Sequence, residues 1–131
     1  MKTILVTGAL GQIGSELVMH LRKIYGGSNV IASDVVKKDM PEVLESGPFE
    51  QLNVLEPQKV ADVCKKYKVD TVIHLAALLS AVAERDPQMA FNINIHGLYN
   101  MLEIARENKY RFFVPSSIAA FGPGTPQDKT P

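Results

Sequence analysis

Gly8, Gly11 and Gly14 follow the apolar run Ile4-Leu5-Val6 at intervals of three residues. Behind a buried strand, that spacing suits a loop that cradles the pyrophosphate of a dinucleotide. Gly8 allows the sharp turn off the strand. Gly11 removes a side chain so that backbone N–H groups can approach the phosphates, and Gly14 lets the following helix pack closely on the sheet. Gln12 and Ile13 belong to the helix's first turn, where free N–H groups and the positive dipole end face the anion. Asp34 lies twenty residues beyond Gly14 and ends the next apolar run, Val30-Ile31-Ala32. A carboxylate there accepts hydrogen bonds from ribose hydroxyls and repels a 2′-phosphate, whereas NADP sites place an arginine at this point. Val35, Val36, Lys37 and Lys38 come next, with no arginine among them, so the expected cofactor is NAD.

Three further features gather where ligands lie in an open α/β sheet, outside the carboxyl ends of the strands. After the fourth apolar run come His74, Leu75, Ala76 and Ala77, whose small side chains let the backbone pass close to a flat ligand. After the fifth comes Ser116-Ser117-Ile118-Ala119-Ala120-Phe121-Gly122, with two hydroxyls in a loop. Asn94 is a polar residue within an otherwise apolar helical turn. Taken singly, each has a plain reading: Ser116 as a turn former, Asn94 as a solvated helix residue, His74 as a core histidine bonded to backbone rather than a base. Their shared placement around one crevice favours a functional reading.

The elements that would position these residues alternate along the whole chain. Strands are expected at Lys2–Val6, Asn29–Ser33, Phe49–Leu52, Thr71–His74 and Arg111–Val114. A first helix runs from Gly11 to Tyr25, with Ile13, Leu17, Leu21 and Ile24 spaced for one face, and Gly26-Gly27 closes it. The stretch 37–47 reads as a loop with at most one helical turn, and Pro57 opens a helix ending near Lys68. Asp86-Pro87 supplies an N-cap and a first-turn proline for a long helix ending at Asn108. Such alternation with right-handed crossovers predicts a Rossmann-type doubly wound parallel sheet, order 3-2-1-4-5, in one domain over residues 1–131. The helix Gln88–Asn108 carries two apolar stripes. Phe91, Ile95, Leu98, Leu102 and Ala105 form one, and Ile93, Gly97, Met101 and Ile104 lie roughly opposite. A helix laid on a sheet needs only one. Either further elements of the protein or a partner subunit covers the second.

Composition narrows the function class. The 131 residues carry 14 basic and 14 acidic side chains, and no basic stripe stands out, which argues against nucleic acid or an anionic membrane as partner. No apolar run reaches membrane-spanning length, and a first strand at Lys2 leaves no room for a leader, so the expectation is a soluble cytoplasmic protein. The one cysteine, Cys64, shares a helical stripe with Val60, Val63 and Tyr67 and reads as a core thiol.

Three motifs in order resemble the extended short-chain dehydrogenase/reductases, the NAD-dependent epimerase/dehydratase superfamily. They are Thr7–Gly14 as Thr-Gly-x-x-Gly-x-x-Gly, His74–Ala77 as His-x-Ala-Ala, and Ser116–Gly122 as Ser-Ser-x-x-x-aromatic-Gly. The stretches 74–81 and 115–123 look more like the short-chain type of L-threonine 3-dehydrogenase than the nucleotide-sugar epimerases, which usually carry tyrosine where Phe121 stands. The resemblance implies that Ser117 hydrogen-bonds the reacting oxygen and that Ser80 sits beside the substrate, L-threonine. It places Asn53-Val54 against adenine, although the usual residue at 53 is aspartate, and Asn94 on the nicotinamide side. Leu75, Ala76 and Ala77 complete the expected cofactor contacts, and no metal is implied.

One departure matters more. The superfamily takes its general base from Tyr-x-x-x-Lys, and none of the tyrosines at 25, 67, 99 and 110 has a lysine four residues on. The expectation is therefore the N-terminal fragment of a dehydrogenase, inactive alone, its substrate lobe absent and its parent a homodimer through helix 88–108. Two alternatives stay open: a nucleotide-sugar epimerase or dehydratase that keeps NAD bound, and a non-catalytic NAD-sensing protein on the same fold.

Overall fold

Leu5, Val6, Val30, Ile31, Ala32 and Val72 are fully buried, which is why their strands read as unbroken apolar runs rather than alternating ones. The computed structural model describes residues 2–76 and 85–115. Strands β1 (Ile4–Thr7), β2 (Val30–Asp34), β3 (Phe49–Gln51), β4 (Thr71–His74) and β5 (Arg111–Phe113) form one parallel sheet in the order β3-β2-β1-β4-β5. The expected order is borne out, with β1 at the centre and Thr7 registered beside His74.

Side chains alternate across the strands into two cores. On one face Ile4, Val6, Val30 and Ala32 pack with Leu10, Val18 of α1 (Gln12–Tyr25) and Val43 of α2 (Pro41–Leu44). On the other, Leu5, Ile31 and Val72 pack with Val60 and Cys64 of α3 (Pro57–Tyr67) and with Met101 and Ile104 further along the chain. The sheet is thus covered on both faces. Cys64 is the core thiol expected; burial pushes it up to about 11.

Two helical details correct the sequence reading. The stripe Ile13, Leu17, Leu21, Ile24 faces the sheet only in part: Leu21 packs against the core, Leu17 is half-buried, and Ile13 is 73% and Ile24 58% exposed, while Gly14, Val18 and Arg22 are buried. The helix start lies against the glycine loop at Gly14, where a Cβ would collide with Gly8 O, and the helix turns Val18 and Arg22 inward. Arg22 enters the interior as a result, with Nε and Nη2 donating to Val30 O, Nη1 to Val43 O and Ser46 Oγ, and Nη2 also to Pro48 O. Four acceptors satisfy the fork, so the buried cation staples α1 to the chain on either side of α2.

The long helix is not uniform. It runs as α4 (Pro87–Phe91), a π turn (Asn92–Gly97) and α5 (Leu98–Asn108). Asp86 caps it as expected, its Oδ1 accepting from Met89 N at 3.1 Å. Of the two stripes, Gly97, Met101 and Ile104 face the sheet, whereas Phe91, Ile95 and Leu102 are about half exposed. Ala105, placed in the outer stripe, is buried beside Ile104. No described helix is long and apolar enough to cross a membrane.

Candidate functional site

The carboxyl ends of β1, β2 and β4 and the loops that leave them form one continuous edge. Gly8 turns off β1 with φ +66°, a conformation that L side chains rarely adopt. A Cβ there would also stand 2.7 Å from the carbonyl carbon of Leu75 and 2.9 Å from Ala76 N. Gly8 is therefore required twice, by its own dihedral and by the backbone after β4. Gly14 is required by the loop rather than by the sheet: its missing Cβ would collide with the Gly8 carbonyl and stand 2.9 Å from Ala9 Cα. Gly11 differs. A Cβ on it would meet only Gly8 O, at 3.3 Å, a tight contact rather than a collision, so among the described residues space demands a glycine here far less than at Gly8 or Gly14. The room above Gly11 is what a pyrophosphate needs, and α1 begins there without a side-chain cap on its free N–H groups. Gln12 and Ile13 stand exposed at that helix start.

Asp34 closes β2 and reaches back to this loop. Its Oδ2 accepts from Leu10 N at 3.0 Å and its Oδ1 from Val35 N at 2.8 Å, which holds the carboxylate half-buried beside the glycines. Each oxygen keeps a lone pair for a ribose hydroxyl.

Between β1 and β4, Thr7 Oγ1 accepts from Leu75 N at 3.1 Å and Ala76 N at 3.2 Å and lies 2.8 Å from His74 Nδ1. With both lone pairs of the hydroxyl taken, its proton points to His74 Nδ1, and the ring proton sits on Nε2. His74 is 3% exposed and burial lowers it to about 4. It is the core histidine expected, but its partner is the Thr7 hydroxyl, not a backbone group. A neutral imidazole held this way shapes the loop at Leu75 and Ala76.

Asn53 and Val54 follow β3 across the edge. Asn53 Oδ1 accepts from Leu55 N at 2.9 Å, and its carbonyl accepts from Glu56 N at 2.9 Å. Val54 is buried, and its carbonyl accepts from Asn100 Nδ2 at 3.0 Å. Asn94 is half-buried within the π turn. Ala77, Ser80, Ser116 and Ser117 lie outside the described residues, as do Phe121 and Gly122. The sequence reading missed Asn100, took Gly97 only as a member of an apolar stripe rather than as a close approach to Val54, and did not foresee the Thr7–His74 pair. Among the described residues no group of three His, Cys, Asp or Glu could hold a metal ion. A cleft of about 350 Å³ lined by Lys2, Asp70, Lys109 and Arg111 opens at the opposite, amino end of the sheet.

Residues 4–131 match the NAD dependent epimerase/dehydratase family. The chain belongs to that family. NAD is accordingly its cofactor, and the open space over Gly11 beside the Asp34 carboxylate fits one. An uncharacterised epimerase/dehydratase of Staphylococcus saprophyticus is 50% identical over the whole chain, which spans 41% of that relative's length. The L-threonine dehydrogenase of Clostridium difficile is 57% identical, with a TM-score of 0.93 over 100% of this chain and 41% of that one. A UDP-glucose-4-epimerase from Stenotrophomonas maltophila, solved with bound NAD, is 25% identical with a TM-score of 0.81 over 93% of this chain and 39% of that one. The chain thus spans about two-fifths of the length of these proteins.

Proposed function

We propose that this chain is the NAD-holding part of an L-threonine 3-dehydrogenase, which converts L-threonine and NAD to 2-amino-3-oxobutanoate and NADH. The observation that carries this reading is 57% identity to the Clostridium difficile threonine dehydrogenase against 25% to the sugar-nucleotide epimerase, over nearly the same residues. NAD supplies the hydride acceptor. Gly8, Gly11, Gln12, Ile13 and Gly14 hold the pyrophosphate. Asp34 holds the adenosine ribose, Asn53 and Val54 the adenine, and Leu75, Ala76, Ala77 and Asn94 the path toward nicotinamide. Ser80 borders the substrate, and Ser117 donates to the threonine oxygen as its C–H hydride leaves and its O–H proton passes to a base. None of the four tyrosines in these 131 residues has a lysine four residues on, so this reading assigns none of them as that base.

The test is turnover by the protein at the full length of its relatives. Threonine with added NAD should yield NADH, read by absorbance, and UDP-glucose should not be epimerised. Tightly retained NAD with interconversion of UDP-sugars and no response to threonine would replace this reading with the epimerase one. The exposed Phe91, Ile95 and Leu102 stripe is the surface on which we place a second copy in the parent dimer. Leu102→Lys should then yield a monomer by light scattering, and an unchanged mass would remove this helix from the interface.

A further inference from the structure

We infer that Gly97 and Asn100 are positioning residues that hold the Asn53–Val54 segment at its place on the cofactor edge. The inference rests on the proposed reading of that edge as the NAD site. Leu52 N donates to Asp34 O at 2.9 Å, the last bond between this segment and the end of β2. Beyond it, Asn53 and Val54 cross the carboxyl edge as a turn closed on α3 through Leu55 and Glu56. Two contacts from the helical run fix that turn from the side. A Cβ on Gly97 would stand 2.5 Å from Val54 Cγ2 and 3.4 Å from Val54 Cβ. Three residues on, Asn100 Nδ2 donates to the Val54 carbonyl at 3.0 Å. Val54 has no room to yield, because it is 5% exposed, β-branched and packed in the same core as Leu52, Val60 and Met101. Glycine within a helix costs about 1 kcal/mol relative to alanine, so this close approach is held against local propensity.

Gly97 is also the last residue of the π turn that contains Asn94. Displacing it therefore moves the helix at Asn94 and the turn at Val54 together, and the two halves of the site are held by one contact. Asn100 secures the same contact through the backbone and fixes the turn's rotation as well as its distance.

ADP-ribose, which carries the adenosine half without nicotinamide, is the probe, titrated calorimetrically into variants whose fold is checked by circular dichroism. Asn100→Ala should weaken it about fivefold, the loss for one neutral hydrogen bond. Gly97→Ala should weaken it about tenfold through displacement of packed atoms. Adding Val54→Ala should restore most of that loss by making room for the new methyl group. A lower melting temperature with unchanged ADP-ribose affinity in Asn100→Ala would show a structural tie only and overturn the inference. Failure of Val54→Ala to rescue Gly97→Ala would do the same, and if Gly97→Ala does not fold, Asn100→Ala decides alone. Asp34→Ala separates the two levels. If it leaves ADP-ribose binding intact, the site reading itself is wrong; if it weakens binding while Asn100→Ala does not, only this inference falls.

Discussion

Thr7 and His74 end adjacent parallel strands, and their side chains meet at 2.8 Å across 67 residues of sequence. The hydroxyl accepts hydrogen bonds from the backbone N–H groups of Leu75 and Ala76 and donates one to the neutral imidazole. One buried pair thereby sets the path of the chain past Gly8, where no Cβ would fit.

That pair makes the fold sensitive to acid. Burial holds His74 down at about 4 from an ordinary 6.5, so the unfolded chain binds its proton first. Stability is fully present above pH 6.5, and falls as the pH drops toward 4, because folding must expel the proton. Between pH 7 and pH 5 the loss should be about 2 kcal/mol, measured by urea unfolding. His74→Asn keeps an acceptor for Thr7 and does not titrate, so it should flatten that slope. A slope identical to the parent's would place the acid sensitivity elsewhere.

The three glycines should separate by phenotype. Gly11→Val meets only Gly8 O, at 3.3 Å from its Cβ, a contact that a shift of a few tenths of an ångström relieves, so the variant should fold by circular dichroism and lose NAD binding, the new side chain standing where we place the pyrophosphate. Gly8→Ala and Gly14→Ala instead meet backbone, at Leu75 and Ala76 and at the Gly8 carbonyl. These should lower the melting temperature outright, by the several degrees that overpacking of about 1–3 kcal/mol produces. Normal NAD affinity in a folded Gly11→Val protein would refute the loop assignment.

Much of this was legible beforehand, and what escaped shares a cause. The strands were readable because a parallel sheet covered on both faces must be apolar throughout, as Ile4, Leu5 and Val6 are. The glycine loop was readable because its spacing is local in sequence, although one constraint on Gly8 comes from Leu75 and Ala76 far along the chain. The rotation of α1 was not: Ile13 and Ile24 look like core residues, yet the helix turns Gly14, Val18 and Arg22 inward instead. The π turn at Asn92–Gly97 also escaped, since apolar spacing on either side of it follows the same helical period. Thr7–His74, Arg22–Val43 and Asn100–Val54 join residues 67, 21 and 46 apart, and no spacing rule encodes such pairs.

Asp34 should govern the choice between the two nicotinamide cofactors. Its carboxylate is already fixed by Leu10 N and Val35 N, so on the proposed reading it would meet the ribose pre-positioned. Asp34→Ala removes charged hydrogen bonds and should weaken NAD about tenfold or more. The same change relieves repulsion of a 2′-phosphate, so the gap between NAD and NADP should narrow. Calorimetric titration of both cofactors reads the two effects together. Tighter binding of NADP than NAD to the unmodified chain would reverse the role given to this residue.

Ser117 carries the last prediction, because it separates chemistry from binding. Its role follows from the serine motif alone, as it lies outside the described residues. A hydroxyl that donates to the threonine oxygen acts where charge changes during hydride transfer and does not touch the dinucleotide. In the full-length protein, Ser117→Ala should therefore depress kcat by about 10²-fold, in the range found when one stabilising donor is removed. NAD affinity should remain near that of the parent, since the loop, Asp34 and the Asn53–Val54 turn are unaltered. Steady-state kinetics with threonine beside an NAD titration separates the two quantities. Loss of both would mean that the variant disturbs the cofactor edge itself. Unchanged kcat would shift the role to Ser116 or take the serine loop out of the reaction.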